Sequence, residues 1–218
     1  MTMEIPKLIY QPQTEGDWNT FGYFYDPYEL MQRRVKRRTG PIQSLECFAG
    51  AGGSLQGYKN HGFETVVAID NDKDAISTLK RNNPGLNTYE GDIRKFKEAM
   101  QHGLSFGRTD NIHWSSPCQD FSQANRALNG TLQVQGKRDR ADLSLLLVDF
   151  VQLTSCSTAV FENVVGIYQR KNVHYLKNIA KELMKLGYQV RCTILKACDY
   201  GDSQKRPRFF MFISKENM

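Results

Sequence analysis

A glycine-rich turn is the first feature of this sequence that could hold a ligand. It reads FAGAGG at residues 48–53 and stands between a predicted buried strand and a predicted helix. Glycines there let the backbone turn tightly and approach a ligand closely. Asp70 follows the next predicted strand, where an acid is expected to hold ribose hydroxyls. Turn and acid together predict a nucleotide-like ligand, whereas the turn alone fits a structural role equally well. The turn has no Gly-Lys-Ser/Thr, which excludes a P-loop.

A cysteine on a loop is the second such feature. Cys118 follows Ser116-Pro117, just beyond a predicted strand that ends at Trp114. Ligands of open α/β sheets bind outside the carboxyl ends of the strands, so a thiolate there is placed to act as a nucleophile. The alternative is a buried structural cysteine. We expect that alternative for Cys47, Cys156, Cys192 and Cys198.

Two further motifs with charged residues lie at the ends of predicted strands, near the same edge of the sheet. The motif ENV at residues 162–164 ends one strand, and its Glu162 would point at the cleft. The motif QKRPR at residues 204–208 leads into the last strand. A surface glutamate and a solvated basic turn are the alternatives.

Alternating strands and helices position these groups. We predict strands at 42–48, 65–69, 87–89, 111–114 and 158–161, helices at 54–61, 72–82, 143–153 and 175–186, and a final antiparallel pair at 189–195 and 208–213. A long polar loop is predicted at 115–140. This order predicts an α/β fold with a mostly parallel sheet and right-handed crossovers.

Composition narrows the class of protein. The 218 residues are 40% hydrophobic and 24% charged, with a net charge of +6, which suits a polyanionic partner but also a solvated basic surface. No apolar run could span a bilayer, and the first ten residues lack a signal peptide's apolar core, so we expect an intracellular protein without a membrane partner. Five cysteines without a CxxC pair predict neither a disulfide framework nor a metal site.

The motifs, and their order along the chain, resemble those of the cytosine-C5 methyltransferases of DNA and tRNA. The resemblance runs from about Ser44 to Ile213. It is carried by FAGAGG, Asp70, GDI at 91–93, SPCQDFS at 116–122, ENV and QKRPR. It implies a Rossmann-like methyltransferase fold, S-adenosylmethionine as cofactor, and DNA, or alternatively tRNA, as partner.

The resemblance also implies roles for single residues. The implied cofactor site consists of Phe48, Gly50, Gly52, Gly53, Asp70, Asn71, Asp92, Ile93 and Pro117. Its three glycines would lie against the methionine part, Asp70 would hold the ribose, and Asp92 would read the adenine amino group. The implied catalytic site consists of Cys118, Glu162, Gln204, Arg206 and Arg208. Cys118 would attack cytosine C6, Glu162 would contact N3, and Arg208 would contact O2.

Three departures from the family pattern keep alternatives open. Asp120 replaces a small residue, and Asn71 replaces a common aromatic one. We find no target-recognition domain and no final family motif, so residues 41–218 are expected to be a catalytic core and residues 1–40 an extension with a basic run. The alternatives are a DNA methyltransferase that is weak alone, a partner-dependent or non-catalytic cofactor-binding subunit or fragment, and a tRNA methyltransferase. The expected location is the nucleus in a eukaryote and otherwise the cytoplasm.

Overall fold

The computed structural model describes residues 40–117, 133–170 and 172–215, with the backbone alone for 133–142. Its strands are β1 (Ile42–Cys47), β2 (Phe63–Asp70), β3 (Thr88–Glu90), β4 (Asn111–Trp114), β5 (Thr158–Val164), β6 (Gln189–Lys196) and β7 (Pro207–Ser214). Its α-helices are α1 (Gly53–Asn60), α2 (Lys73–Asn82), α3 (Ile93–Gln101), α4 (Gln133–Thr154) and α5 (Val173–Lys185). Short 3-10 turns follow β5 and β6, at Val165–Tyr168 and Ala197–Tyr200.

All seven strands form a single sheet in the order β3-β2-β1-β4-β5-β7-β6. The first five strands are parallel, and β7 runs antiparallel to both of its neighbours. The carboxyl ends of β1, β2 and β4 therefore meet at one edge, where a ligand of such a sheet binds. The predicted α/β class, the parallel sheet and the terminal antiparallel pair are confirmed.

The core lies mainly between the sheet and helices α4 and α5. Trp114, Phe150, Phe161 and Phe209 are fully buried there. Helix α5 contributes an apolar stripe whose residues recur at the spacing of a helix face, namely Leu176, Ile179, Ala180 and Leu183. A smaller cluster packs α1 and α2 on the sheet through Leu55, Ile76 and Leu79. These apolar faces hold the strand ends in place.

Two predictions about the elements are wrong. No helix is predicted between β3 and β4, yet α3 occupies this interval, begins at an Asp92 cap and buries Ile93 and Phe96. The predicted polar loop ends too late, since α4 already begins at Gln133. The first turns of α4 are charged and carry no apolar stripe, so periodicity does not reveal them. They extend a helix whose buried part, around Leu147 and Val151, is stabilised by packing.

Other predictions fall outside the described residues. The basic run lies in residues 1–39, and Cys118 and Asp120 lie in residues 118–132. Among the described helices, none has the length and apolar character needed to cross a membrane.

Candidate active site

The glycine turn after β1 is wound tightly against β2 and α2. Ala49 N donates to Ile69 O over 3.0 Å, and Gly52 N donates back to Ala49 O over 3.0 Å. Gly52 has φ +97°, and a Cβ atom there would lie only 2.5 Å from Leu79 Cδ1. Gly53 has open space beside it. Glycine is therefore required at residue 52 by the backbone and by the packing of α2.

Asp70 fastens this turn to the end of β2. Its Oδ2 accepts a hydrogen bond from Gly50 N over 2.7 Å, and its Oδ1 accepts one from Asp72 N over 2.9 Å. Bonds from backbone N–H groups to a carboxylate are charge-assisted and comparatively strong. The acid predicted to hold a ribose thus also fixes the turn beside it.

Asp92, at the start of α3, is likewise held by two contacts of its carboxylate. Its Oδ1 accepts from Arg94 N over 2.8 Å, which caps the helix. Its Oδ2 forms an ion pair with Arg94 Nη1 over 3.0 Å. Both acids therefore stand at the sheet edge in orientations set by the adjoining backbone.

One cavity at this edge collects most of the predicted cofactor residues. It is lined by Phe48, Ile69, Asp70, Asn71, Gly91, Asp92, Ile93, Arg94, Pro117 and Leu143. Six of these belong to the cofactor site that the resemblance implies. The glycines 50, 52 and 53 are not among the described lining residues. Arg94 could have been found from its position two residues after Asp92, whereas Leu143 reaches the cavity from a distant helix and has no local signal.

The segment before Cys118 is held between β1 and β5. Ser115 Oγ donates to Phe48 O over 3.1 Å. Ser116 O accepts from Asn163 Nδ2 over 3.2 Å, and its hydroxyl lies 2.9 Å from that of Ser144. Pro117, the next residue, lines the cavity described above and directly precedes the predicted nucleophile in the sequence.

Glu162 and Arg208 face one another across β5 and β7. Arg208 Nε lies 3.1 Å from Glu162 Oε1, and each side chain is about a fifth exposed, at 21% and 23% respectively. Both line a cavity of about 380 Å³, together with Leu195, Lys196, Ala197, Tyr200, Arg206 and Phe210. Gln204 is exposed and is not among the described residues that line this cavity. Its backbone carbonyl oxygen accepts a hydrogen bond from Arg206 N over 2.9 Å.

The described cysteines are mostly unsuited to nucleophilic chemistry. Burial raises the pKa of Cys156 to about 11 and raises the pKa of both Cys47 and Cys192. A buried thiol that keeps its proton is a poor nucleophile. The prediction that these three are buried is confirmed, whereas Cys198 is half-buried and donates to Asp199 Oδ1 over 3.5 Å. Within the described ranges, no cluster of His, Cys, Asp and Glu could hold a metal ion.

A mostly parallel sheet with a glycine turn after β1 and an acid at the end of β2 defines an α/β protein of the Rossmann-like class. The chain belongs to the C-5 cytosine-specific DNA methylases, whose family model matches residues 42–218. Type II methyltransferase M.NgoMIV of Neisseria gonorrhoeae is 35% identical over 174 residues, which are 80% of this chain and 52% of that protein. Type II methyltransferase M.DdeI of Desulfomicrobium norvegicum is 36% identical over 173 residues, 76% of this chain and 39% of that protein.

Solved structures show the same fold. The Entamoeba histolytica methyltransferase EhMeth has a TM-score of 0.60 at 18% identity, with 82% of this chain and 54% of that chain covered. The S. pombe Dnmt2 methyltransferase has a TM-score of 0.59 at 19% identity, with 82% and 51% covered. The expected methyltransferase fold is thus confirmed. The chain spans about half the length of the curated relatives that it matches.

Proposed function

We propose that this chain transfers a methyl group from S-adenosylmethionine to C5 of cytosine in DNA, with Cys118 as the nucleophile. One observation carries the proposal. The cavity at the carboxyl edge joins the predicted cofactor residues to Pro117, the residue before Cys118. The family of the chain supports DNA as the substrate.

The residues of this cavity fit the proposed cofactor. Two carboxylates, Asp70 and Asp92, are suited to accept hydrogen bonds from ribose hydroxyls and from the adenine amino group. Phe48, Ile69 and Ile93 supply apolar surface for the purine ring. Asn71 replaces the common aromatic residue, so we assign the stacking contact to these side chains. S-Adenosylmethionine supplies an electrophilic methyl group on a sulfonium centre when bound.

The chemistry requires a nucleophile because cytosine C5 is unreactive by itself. Addition of the Cys118 thiolate to C6 forms an S–C6 bond and moves the ring electrons to C5, which becomes carbanion-like. After C5 has gained the methyl group, a base removes the C5 proton and the C6–S bond breaks, which restores the ring. The target base has to leave the helix stack for this attack.

Glu162 and Arg208 stabilise the charge that develops on the ring. Arg208 Nε contacts Glu162 Oε1, so we assign the other oxygen, Oε2, to cytosine N3 as the proton donor. The guanidinium of Arg208 is assigned to O2, where a fixed cation favours the adduct. Arg206 lines the same cavity, and we assign to it and to Gln204 the bracing of this pocket.

Trapping on a fluorinated base tests the proposal. A duplex with 5-fluorocytosine should form a stable covalent complex with the chain and S-adenosylmethionine, because fluorine blocks release of the C5 substituent. Cys118→Ser should abolish the complex, while Cys198→Ser, a change at the half-buried cysteine, should leave it intact. A Cys118→Ser chain that is trapped as well as the wild type contradicts the assignment. A parallel assay with tRNA decides between the two nucleic acids.

A further inference from the structure

A buried pair of ionisable side chains lies beneath the start of α1. Glu46 on β1 is fully buried, and His113 on β4 is 7% exposed. The two residues are register partners in the parallel ladder, and His113 Nδ1 lies 3.1 Å from Glu46 Oε2. Glu46 Oε1 has no hydrogen-bond partner within the described part of the chain. A buried polar atom without a partner costs free energy, so stability alone does not explain this pair.

Helix α1 is attached to the pair through its first turn. Ser54, the second residue of the helix, donates from Oγ to Glu46 Oε2 over 2.8 Å. Tyr58, one turn further along, packs its ring 5.6 Å from the ring of His113. Because Ser54 directly follows the glycine turn, the pair fixes the end of that turn to β1 and β4.

Strand β4 carries His113 and leads to the segment before the nucleophile. Ser115 is two residues after His113 and donates from its hydroxyl to Phe48 O over 3.1 Å. Pro117 and Cys118 follow in the sequence. The same pair therefore connects the turn that adjoins the cofactor cavity with the strand that leads to the nucleophile.

We propose that Glu46 and His113 are positioning residues for methyl transfer, and that Ser54 couples them to the glycine turn. This inference rests on the proposed function. A buried ion pair can often be replaced by apolar residues without loss of stability, whereas reacting atoms tolerate misplacements of only about 1 Å. The pair holds the glycine turn and the end of β4 at the separation that would bring a bound methyl donor to the Pro117 end of the cavity.

Ser54→Ala in the full chain is the sharpest test, because it removes one hydroxyl and leaves the buried pair in place. We expect it to weaken S-adenosylmethionine binding about fivefold and to slow single-turnover methylation about tenfold, the scale of a small misplacement. Ser54→Thr, which keeps the hydroxyl, should restore both values. Ser77→Ala, at an exposed serine on α2, is the matched control and should behave as the wild type.

Thermal unfolding separates positioning from simple stabilisation. A Ser54→Ala chain with a lower midpoint but unchanged binding and transfer overturns the proposal, as does a chain with no change at all. His113→Gln should also slow transfer in protein that still melts cooperatively, and an unchanged rate there contradicts the role of the pair. If the wild type binds the cofactor but transfers no methyl group, the proposed function fails. The cofactor affinities of Ser54→Ala and Ser77→Ala, compared by calorimetry, still decide the positioning role.

Discussion

The two halves of the sheet hold their functional groups in different ways. In the half formed by β1, β2 and β3, the two acids Asp70 and Asp92 accept hydrogen bonds from nearby backbone N–H groups. In the half formed by β5, β7 and β6, Glu162 and Arg208 are joined by an ion pair of side chains from strands far apart in the sequence.

On the proposed function, this difference separates cofactor binding from methyl transfer. A carboxylate that accepts hydrogen bonds from backbone N–H groups is oriented before a ligand binds, so the proposed cofactor half is preorganised. A side-chain pair that is a fifth exposed can be opened by a ligand, because partly solvated ion pairs contribute little stability. Changes in the cofactor half should therefore affect binding or folding, whereas changes in the other half should affect transfer alone.

The largest expected effect is at Glu162. Glu162→Gln should slow methyl transfer roughly a hundredfold, the usual scale for loss of a positioned acid, while the dissociation constant of the cofactor stays the same. Single-turnover methylation and titration calorimetry measure the two quantities. Glu182→Gln, at a half-buried residue of α5 paired with Lys185, is the control. A parallel loss of cofactor affinity would show that the two halves are not separate.

The next largest effect is expected for two adjacent glycines in the cofactor half, and it concerns the free energy of unfolding. Gly52→Ala should lower the free energy of unfolding by about 1–3 kcal/mol, because φ is +97° and the new Cβ would meet Leu79. Gly53→Ala should change it by less than about 1 kcal/mol, since its site is open. Urea denaturation of both variants tests this contrast, and equal losses would contradict the packing argument.

Asp70 should show a smaller effect, on binding. Asp70→Ala should weaken S-adenosylmethionine binding about tenfold, since it removes a ribose acceptor and the bond to Gly50 N, and a charge-assisted hydrogen bond is worth about 1.5–3 kcal/mol. Calorimetry measures the affinity, and Asp74→Ala on the exposed start of α2 is the control. Equal affinities in Asp70→Ala and the wild type would rule out the ribose assignment.

The smallest effect concerns pH. Burial raises the pKa of Cys156 from 9.0 to about 11, so the unfolded chain loses this proton at a lower pH than the folded chain does. The contribution to stability is complete below pH 9 and is lost as the pH rises through 11. Between pH 7.5 and 9.5, Cys156→Ala should therefore lose less unfolding free energy than the wild type, by about 1 kcal/mol. Identical losses in the two proteins would contradict the assignment to Cys156.

Local sequence determined the strands of this protein, its glycine turn and the acids near it. Alternating apolar runs and breakers predict all seven strands, because strand periodicity and turn residues act over a few positions. The glycine turn and the acids at the ends of β2 and β3 are also visible, since the turn and the strand ends are set by neighbouring residues. The resemblance to cytosine-C5 methyltransferases, carried by these motifs, agrees with the family to which the chain belongs.

Tertiary structure alone decided which distant side chains meet. Leu143 reaches the cofactor cavity from α4, Arg208 pairs with Glu162 across two strands, and His113 faces Glu46 because β1 and β4 are neighbours in the sheet. The buried pair illustrates the limit well: a glutamate within an apolar strand and a lone histidine have no local signal that connects them. Strand order and register depend on the packing of the whole core, so contacts of this kind follow from the fold and not from any one segment of the chain.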